Sequence, residues 1–253
     1  MHQPTRDGVK LHVQELGAGP PVVMLHGLLV GNMATWYWTA AAALARTHRV
    51  ILFDLRGHGL SERAKTGYDV ASMMRDLEDV IAATLEAHES ITLIGHSYGA
   101  VIALAYALRH PDRMNKLAVV EAPLPPSRLQ ELERFLRESP ESMLDSLPEE
   151  LRDVVLKAGR RARRFVESAT FLVTESSLLE DLRRAEDFPD DALSTIRCPL
   201  LAVYGTTSSC RPIGARLARV VPNAQLVELE GGHFLPAESP SALTDALTRF
   251  VDG

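Results

Sequence analysis

Short runs of apolar and β-branched residues alternate along the chain with longer segments whose apolar positions recur three and four apart. That alternation predicts a mostly parallel sheet covered by helices. Asp7-Gly8 reads as the tight turn of an opening hairpin, with residues 9–16 as its second strand. Further strands are expected at residues 22–25, 50–53, 91–94, 117–120, 200–204 and 225–229. Several of these are apolar without a break, as strands buried on both faces should be. After Asp69, a suitable N-cap, Val70, Met73, Met74, Leu77, Val80, Ile81 and Leu85 fall on one helical face. The two methionines are read there as core filling. Leu243, Ala246, Leu247 and Phe250 form the inner stripe of a last helix, with Ser239 expected as its N-cap and Pro240 as its first residue.

One stretch breaks the rhythm. Residues 123–193 contain helical patterns and six prolines, Pro123, Pro125, Pro126, Pro140, Pro148 and Pro189, but no strand pattern. We read them as a helical cap inserted into a core made of residues 1–122 and 194–253. Leu124, Leu129, Leu132, Phe135, Phe165 and Phe171 are candidates to line its inner side, and Arg160, Arg161, Arg163 and Arg164 read as a solvated helix face.

Composition narrows the picture. A chain of 253 residues, 46% hydrophobic and 24% charged, suits one globular domain with an insertion. Its formal net charge of −6 argues against nucleic acid as a partner, because there is no basic excess to displace counterions. No apolar run reaches the roughly 20 residues of a membrane span, and the first residues lack a signal-peptide layout, so a cytoplasmic place is expected. The two cysteines, Cys198 and Cys210, flank an expected strand, and neither a disulfide nor a zinc site is read from them. Cys210 is taken as an ordinary free thiol.

The chemistry centres on Gly95-His96-Ser97-Tyr98-Gly99, a G-x-S-x-G motif between the strand at 91–94 and a helical run at 100–108. A serine on so sharp a turn needs small neighbours, and Gly95, Gly99 and Ala100 supply them. The following helix aims its first N–H groups at whatever Ser97 attacks. With His26-Gly27-Leu28 after the third strand, the loop of residues 54–61 after the fourth and Gly231-Gly232-His233-Phe234 after the last, the sequence resembles the α/β-hydrolase superfamily. The resemblance implies an eight-stranded, mostly parallel sheet flanked by helices. It makes Ser97 the nucleophile, His233 the base, and the backbone N–H groups of Leu28 and Tyr98 the oxyanion hole. His26 and the 54–61 loop are given structural roles only. His96, adjacent to Ser97, competes as base, but neighbours on a tight elbow point apart. His58, His88 and His110 read as loop or helix-end residues.

The third triad member departs from the usual pattern. The segment after the seventh strand, Gly205-Thr206-Thr207-Ser208, carries Ser208 where a carboxylate is common. Glu121, closing the sixth strand, resembles the acid of some haloalkane dehalogenases, and we take it as the partner of His233. Ser208 as a neutral orienter, and a Glu121 that merely faces solvent, remain alternatives. The expected function is hydrolysis of a small-molecule ester or thioester through an acyl-enzyme, with no metal or organic cofactor. Two other readings stay open: another reaction on the same scaffold (C–C hydrolysis, a lyase step, cyclisation or perhydrolysis), or a non-catalytic binding module.

Overall fold

The computed structural model describes residues 1–29, 31–124 and 160–253, the last from residue 167 onward with side chains. Eight strands form one sheet in the order β1-β2-β4-β3-β5-β6-β7-β8. β1 (His2–Pro4) and β2 (Lys10–Leu16) are the hairpin, closed around Gly8 at φ 88°, and β2 pairs antiparallel with β4 (Arg49–Phe53). From β4 onward the pairs are parallel: β3 (Pro21–Leu25), β5 (Ile91–His96), β6 (Met114–Val120), β7 (Leu200–Gly205) and β8 (Ala224–Leu229). Every strand expected from the apolar pattern is present.

Burial explains why the pattern was readable. All residues of β3, β5 and β7 are buried, and alternate side chains feed two separate cores. Val23 and Leu25 of β3 join Leu93, Met73, Leu77 and Leu104 on one face, while Val22 and Met24 join Trp36, Leu44, Leu243 and Leu247 on the other. The first face is covered by α2 (Val70–Thr84) and α3 (Tyr98–Arg109), the second by α1 (residues 34–44) and the C-terminal helix (Pro240–Asp252). Asp69 caps α2 by accepting a hydrogen bond from the Ser72 N–H at 2.9 Å. Ser239 sits at the N-cap of the C-terminal helix as expected, but its hydroxyl donates instead to the carbonyl of Glu230 at 2.5 Å. That bond ties the helix start to the end of β8.

Of the expected cap, residues 125–159 lie outside the described residues, and with them Leu129, Leu132 and Phe135. The side chains of the arginine cluster and Phe165 do so too. The remainder is helical: α4 (Arg160–Thr174), α5 (Leu178–Arg183) and α6 (Asp190–Leu193). Leu124 and Phe171 are buried in the first core. α7 (Arg211–Val220) and α8 (Leu235–Glu238) precede the C-terminal helix, here α9. Among the described residues no helix is long and apolar enough to cross a membrane.

β3 has β4 on one side and β5 on the other, so the chain reverses its direction of sheet growth there. In such sheets the crevice beyond the carboxyl ends of the strands at the reversal is where ligands bind. The G-x-S-x-G turn and the His26-Gly27-Leu28 loop both leave the sheet at that point.

Candidate active site

Ser97 connects β5 to α3 at φ 53° and ψ −125°, outside the regions that L-residues normally occupy. Among the described residues three non-glycine positions have positive φ, Leu29 (63°), Ser97 (53°) and Glu121 (55°), and each follows the carboxyl end of a parallel strand. Such conformations cost about 1–3 kcal/mol each and persist only where the surroundings overdetermine them. The turn at Ser97 closes through crowding. A Cβ at Gly95 would stand 2.5 Å from the Cα of Ala100, and one at Gly27 2.9 Å from the Cβ of Ser97. Both positions therefore require glycine.

The structure brings Ser97, His233 and Glu121 together. His233 Nε2 lies 2.9 Å from Ser97 Oγ, and its Nδ1 lies 3.3 Å from Glu121 Oε2. The order fits a hydroxyl donating to Nε2 while Nδ1–H donates to the carboxylate. Ser97 and the imidazole are half-buried, with 31% of the His233 side chain exposed, whereas Glu121 is fully buried. Burial opposes a charge on His233, but Cys210 and Glu121 beside the ring more than offset it and raise its pKa to about 9.

Glu121 does not face solvent. It leaves β6 at positive φ, with its N–H donating to the carbonyl of Val203, and the turn carries the carboxylate towards the end of β7. There Oε1 accepts from the Gly205 N–H at 2.5 Å, and Oε2 accepts from the Ser208 hydroxyl. Ser208 thus occupies the place where the acid was missed, yet its hydroxyl is spent on Glu121 and not on His233. Its oxygen also accepts from the Cys210 N–H at 3.0 Å. Cys210, read from sequence as a bland thiol, is buried with a donor atom within 4.8 Å of those of Glu121 and His233. Both cysteines are free.

Leu28 follows Gly27 in the loop after β3, and Tyr98 follows Ser97 as the first residue of α3. Among the described residues nothing accepts a hydrogen bond from either backbone N–H. The Tyr98 side chain was given no role, but it is buried and its hydroxyl donates to the Tyr68 carbonyl at 2.9 Å. Tyr68 N–H in turn donates to Asp181, so the residue after Ser97 is tied to α5.

Several histidines do more than the sequence indicated. His96 Nε2–H donates to the carbonyl of His233 at 2.9 Å, clamping the loop that carries the imidazole. Burial pushes its pKa down to about 3, so it stays neutral and cannot serve as a general base near pH 7. His26 and His58 fix the neighbouring loops. His26 Nε2 accepts from Leu55 N–H at 2.9 Å and His58 Nε2 from Leu29 N–H at 2.8 Å. Their Nδ1–H groups donate to the carbonyls of Gly27 and Arg56. Asp54 adds two more stitches, accepting from Met33 N–H at 2.7 Å and Leu60 N–H at 2.9 Å. Glu238 was missed as well; it accepts from Gly232 N–H at 2.5 Å and holds the turn before His233.

A serine on a strained strand-to-helix turn, at the switch point of a parallel sheet and in contact with a histidine–glutamate pair, defines an α/β enzyme built on a nucleophile elbow. The chain belongs to the alpha/beta hydrolase fold family, whose sequence profile matches residues 20–156. It is 27% identical over 254 aligned residues to a non-heme chloroperoxidase from Kitasatospora aureofaciens, spanning 90% of this chain and 89% of that one. Among solved structures it resembles an esterase from Exiguobacterium antarcticum with a TM-score of 0.79 at 26% identity, covering 100% and 99% of the two chains. A thermophilic esterase from Thermogutta terrifontis gives 0.80 at 26% identity, covering 100% and 97%.

Proposed function

We propose that this enzyme is a serine hydrolase that cleaves an ester or thioester of a small molecule through an acyl-enzyme on Ser97. The observation that carries the reading is the 2.9 Å contact between Ser97 Oγ and His233 Nε2 on a strained elbow. A serine hydroxyl is a poor nucleophile until a base takes its proton, and Nε2 stands where that proton would go.

In the first half-reaction Ser97 Oγ attacks the acyl carbon while His233 Nε2 accepts its proton. Glu121 holds the ring by Nδ1–H and stabilises the imidazolium that forms, which a neutral Ser208 could not do. The N–H groups of Leu28 and Tyr98 receive the developing oxyanion. The imidazolium then protonates the departing alcohol or thiol, leaving the acyl group on Ser97. In the second half-reaction His233 takes a proton from water, the hydroxide attacks the acyl carbon, and the acid leaves as Ser97 regains its proton.

A fluorophosphonate probe should label Ser97, and p-nitrophenyl or short acyl-thioester substrates should turn over and lose that turnover in Ser97→Ala. Absence of labelling in folded protein would favour a binding module. The likeness to a chloroperoxidase supports a second reading, perhydrolysis, in which hydrogen peroxide replaces water in attacking the acyl-enzyme and yields a peracid. Faster deacylation with peroxide than with water would favour it.

A further inference from the structure

Behind the imidazole, on the side away from Ser97, three donors of different chemistry converge. The His233 ring, a Glu121 oxygen and Cys210 Sγ each offer an atom within 4.8 Å of the other two, and the His233 Nδ1 to Glu121 Oε2 separation is already 3.3 Å. Ligands of a tetrahedral zinc ion, with bonds of about 2.0–2.3 Å, stand about 3.3–3.8 Å apart. Small movements of the Cys210 side chain would therefore complete such a face. Imidazole, thiolate and carboxylate together select a borderline-soft divalent ion over magnesium or calcium. The charges also balance, since a thiolate and a carboxylate neutralise a divalent cation in a pocket where Glu121 is fully buried. Ser208 and the Gly205 N–H orient the carboxylate from behind, as outer partners of metal ligands commonly do.

We propose that Glu121, Cys210 and His233 form an inhibitory binding site for a thiophilic divalent cation such as Zn²⁺ or Cd²⁺. Binding releases the Cys210 thiol proton to solvent and takes the lone pair of His233 Nδ1, whose own proton shifts to Nε2 in the neutral ring or leaves to solvent from the imidazolium. The single proton left on the ring then sits on Nε2. An imidazole in that tautomer can donate towards Ser97 Oγ but cannot accept its proton, so the ion stops the reaction without touching Ser97. No electron changes hands.

The inhibition rests on the proposed role of His233; the binding does not. The test is Cd²⁺ titration of the whole chain, followed by the ultraviolet thiolate-to-cadmium charge-transfer band, in parallel with ester turnover at added Zn²⁺. The expected result is one equivalent of Cd²⁺ giving the band in wild type, Cys198→Ser and Ser97→Ala. In Cys210→Ser and Cys210→Ala the band should be lost, with affinity at least about 10-fold weaker, since removing a ligand costs no less than removing its supporting partner. Zn²⁺ inhibition reversed by chelator should vanish with the band. A band that persists in folded Cys210→Ser, or none in wild type, overturns the proposal, whichever way ester turnover goes. Binding without inhibition in a turning-over wild type overturns the inhibitory half.

Discussion

Glu121 is the residue on which the site's electrostatics depend. Its carboxylate receives three groups, the Gly205 N–H, the Ser208 hydroxyl and His233 Nδ1. A glutamine keeps the shape but offers one acceptor oxygen in place of two and carries no charge. One of those donors would then face an NH₂ group, and the imidazolium would lose its counter-charge. Glu121→Gln should lower kcat by about 10³–10⁴-fold, the scale on which a triad acid acts. Ser208→Ala removes one charge-assisted hydrogen bond to Glu121 and the acceptor of the Cys210 N–H, leaves the carboxylate in place, and should cost about 10-fold. The pH profile separates the two further. His233 must be neutral to accept the Ser97 proton, and its pKa is raised to about 9. In wild type kcat/KM should therefore climb from neutral pH until about pH 9. In Glu121→Gln the residual activity should rise at lower pH, nearer the ordinary histidine value of about 6.5. Near-normal turnover in Glu121→Gln alongside a crippled Ser208→Ala would exchange the roles of the two residues.

At the scale of elements, the site depends on how closely α3 sits on β3. A Cβ at Gly99 would stand 2.5 Å from the His26 carbonyl oxygen and 2.7 Å from that of Leu25, both backbone atoms that cannot swing away. Gly99→Ala must push the helix off the strand. Overpacking of this kind costs about 1–3 kcal/mol, which for a chain this long lowers the melting temperature by about 3–10 °C. The Tyr98 N–H would move with the helix, so kcat should fall as well. A Cβ at Gly232 meets nothing closer than 3.5 Å, and Gly232→Ala should melt like wild type. A Gly99→Ala protein with unchanged melting and kcat would show that the contact can relax. The elements themselves were legible because β3, β5 and β7 are buried on both faces, which writes an unbroken apolar run into the sequence. Glu121 was legible for a related reason, as a carboxylate at the end of such a run. The supporting bonds were not. His96 reaches the His233 carbonyl across 137 positions, and Ser208 reaches Glu121 across 87. Pairings that distant leave no periodicity behind, and a histidine buried between loops looks the same in sequence as one on the surface.

The whole molecule holds three histidines in the same electrical state. His26, His58 and His96 are buried, and burial pushes their pKa values down to about 4, 3 and 3. Each is fixed as a neutral ring by one N–H donor bond to a carbonyl, and His26 and His58 also accept a backbone N–H, which a protonated ring could not do. Well above pH 6.5 these groups are neutral whether the chain is folded or not, and they leave stability independent of pH. Below it the unfolded chain takes up protons that the folded chain refuses, so stability falls as pH falls towards the folded values. His233 has its pKa raised, so it is protonated in both states there and does not offset the loss. Three protons correspond to a slope of about 4 kcal/mol per pH unit once the unfolded histidines are fully charged. Against a typical total of about 5–15 kcal/mol, that slope should bring the acid transition to about pH 5–4. Urea titrations at pH 7.5, 6.5 and 5.5 (about one unit on either side of the free imidazole value) should give equal midpoints at the first two to within a small drop, then a steep fall. A midpoint at the lowest pH equal to that at the highest would mean that the three rings accept protons in the folded protein, and the loops they stitch around Ser97 would then be held by something else.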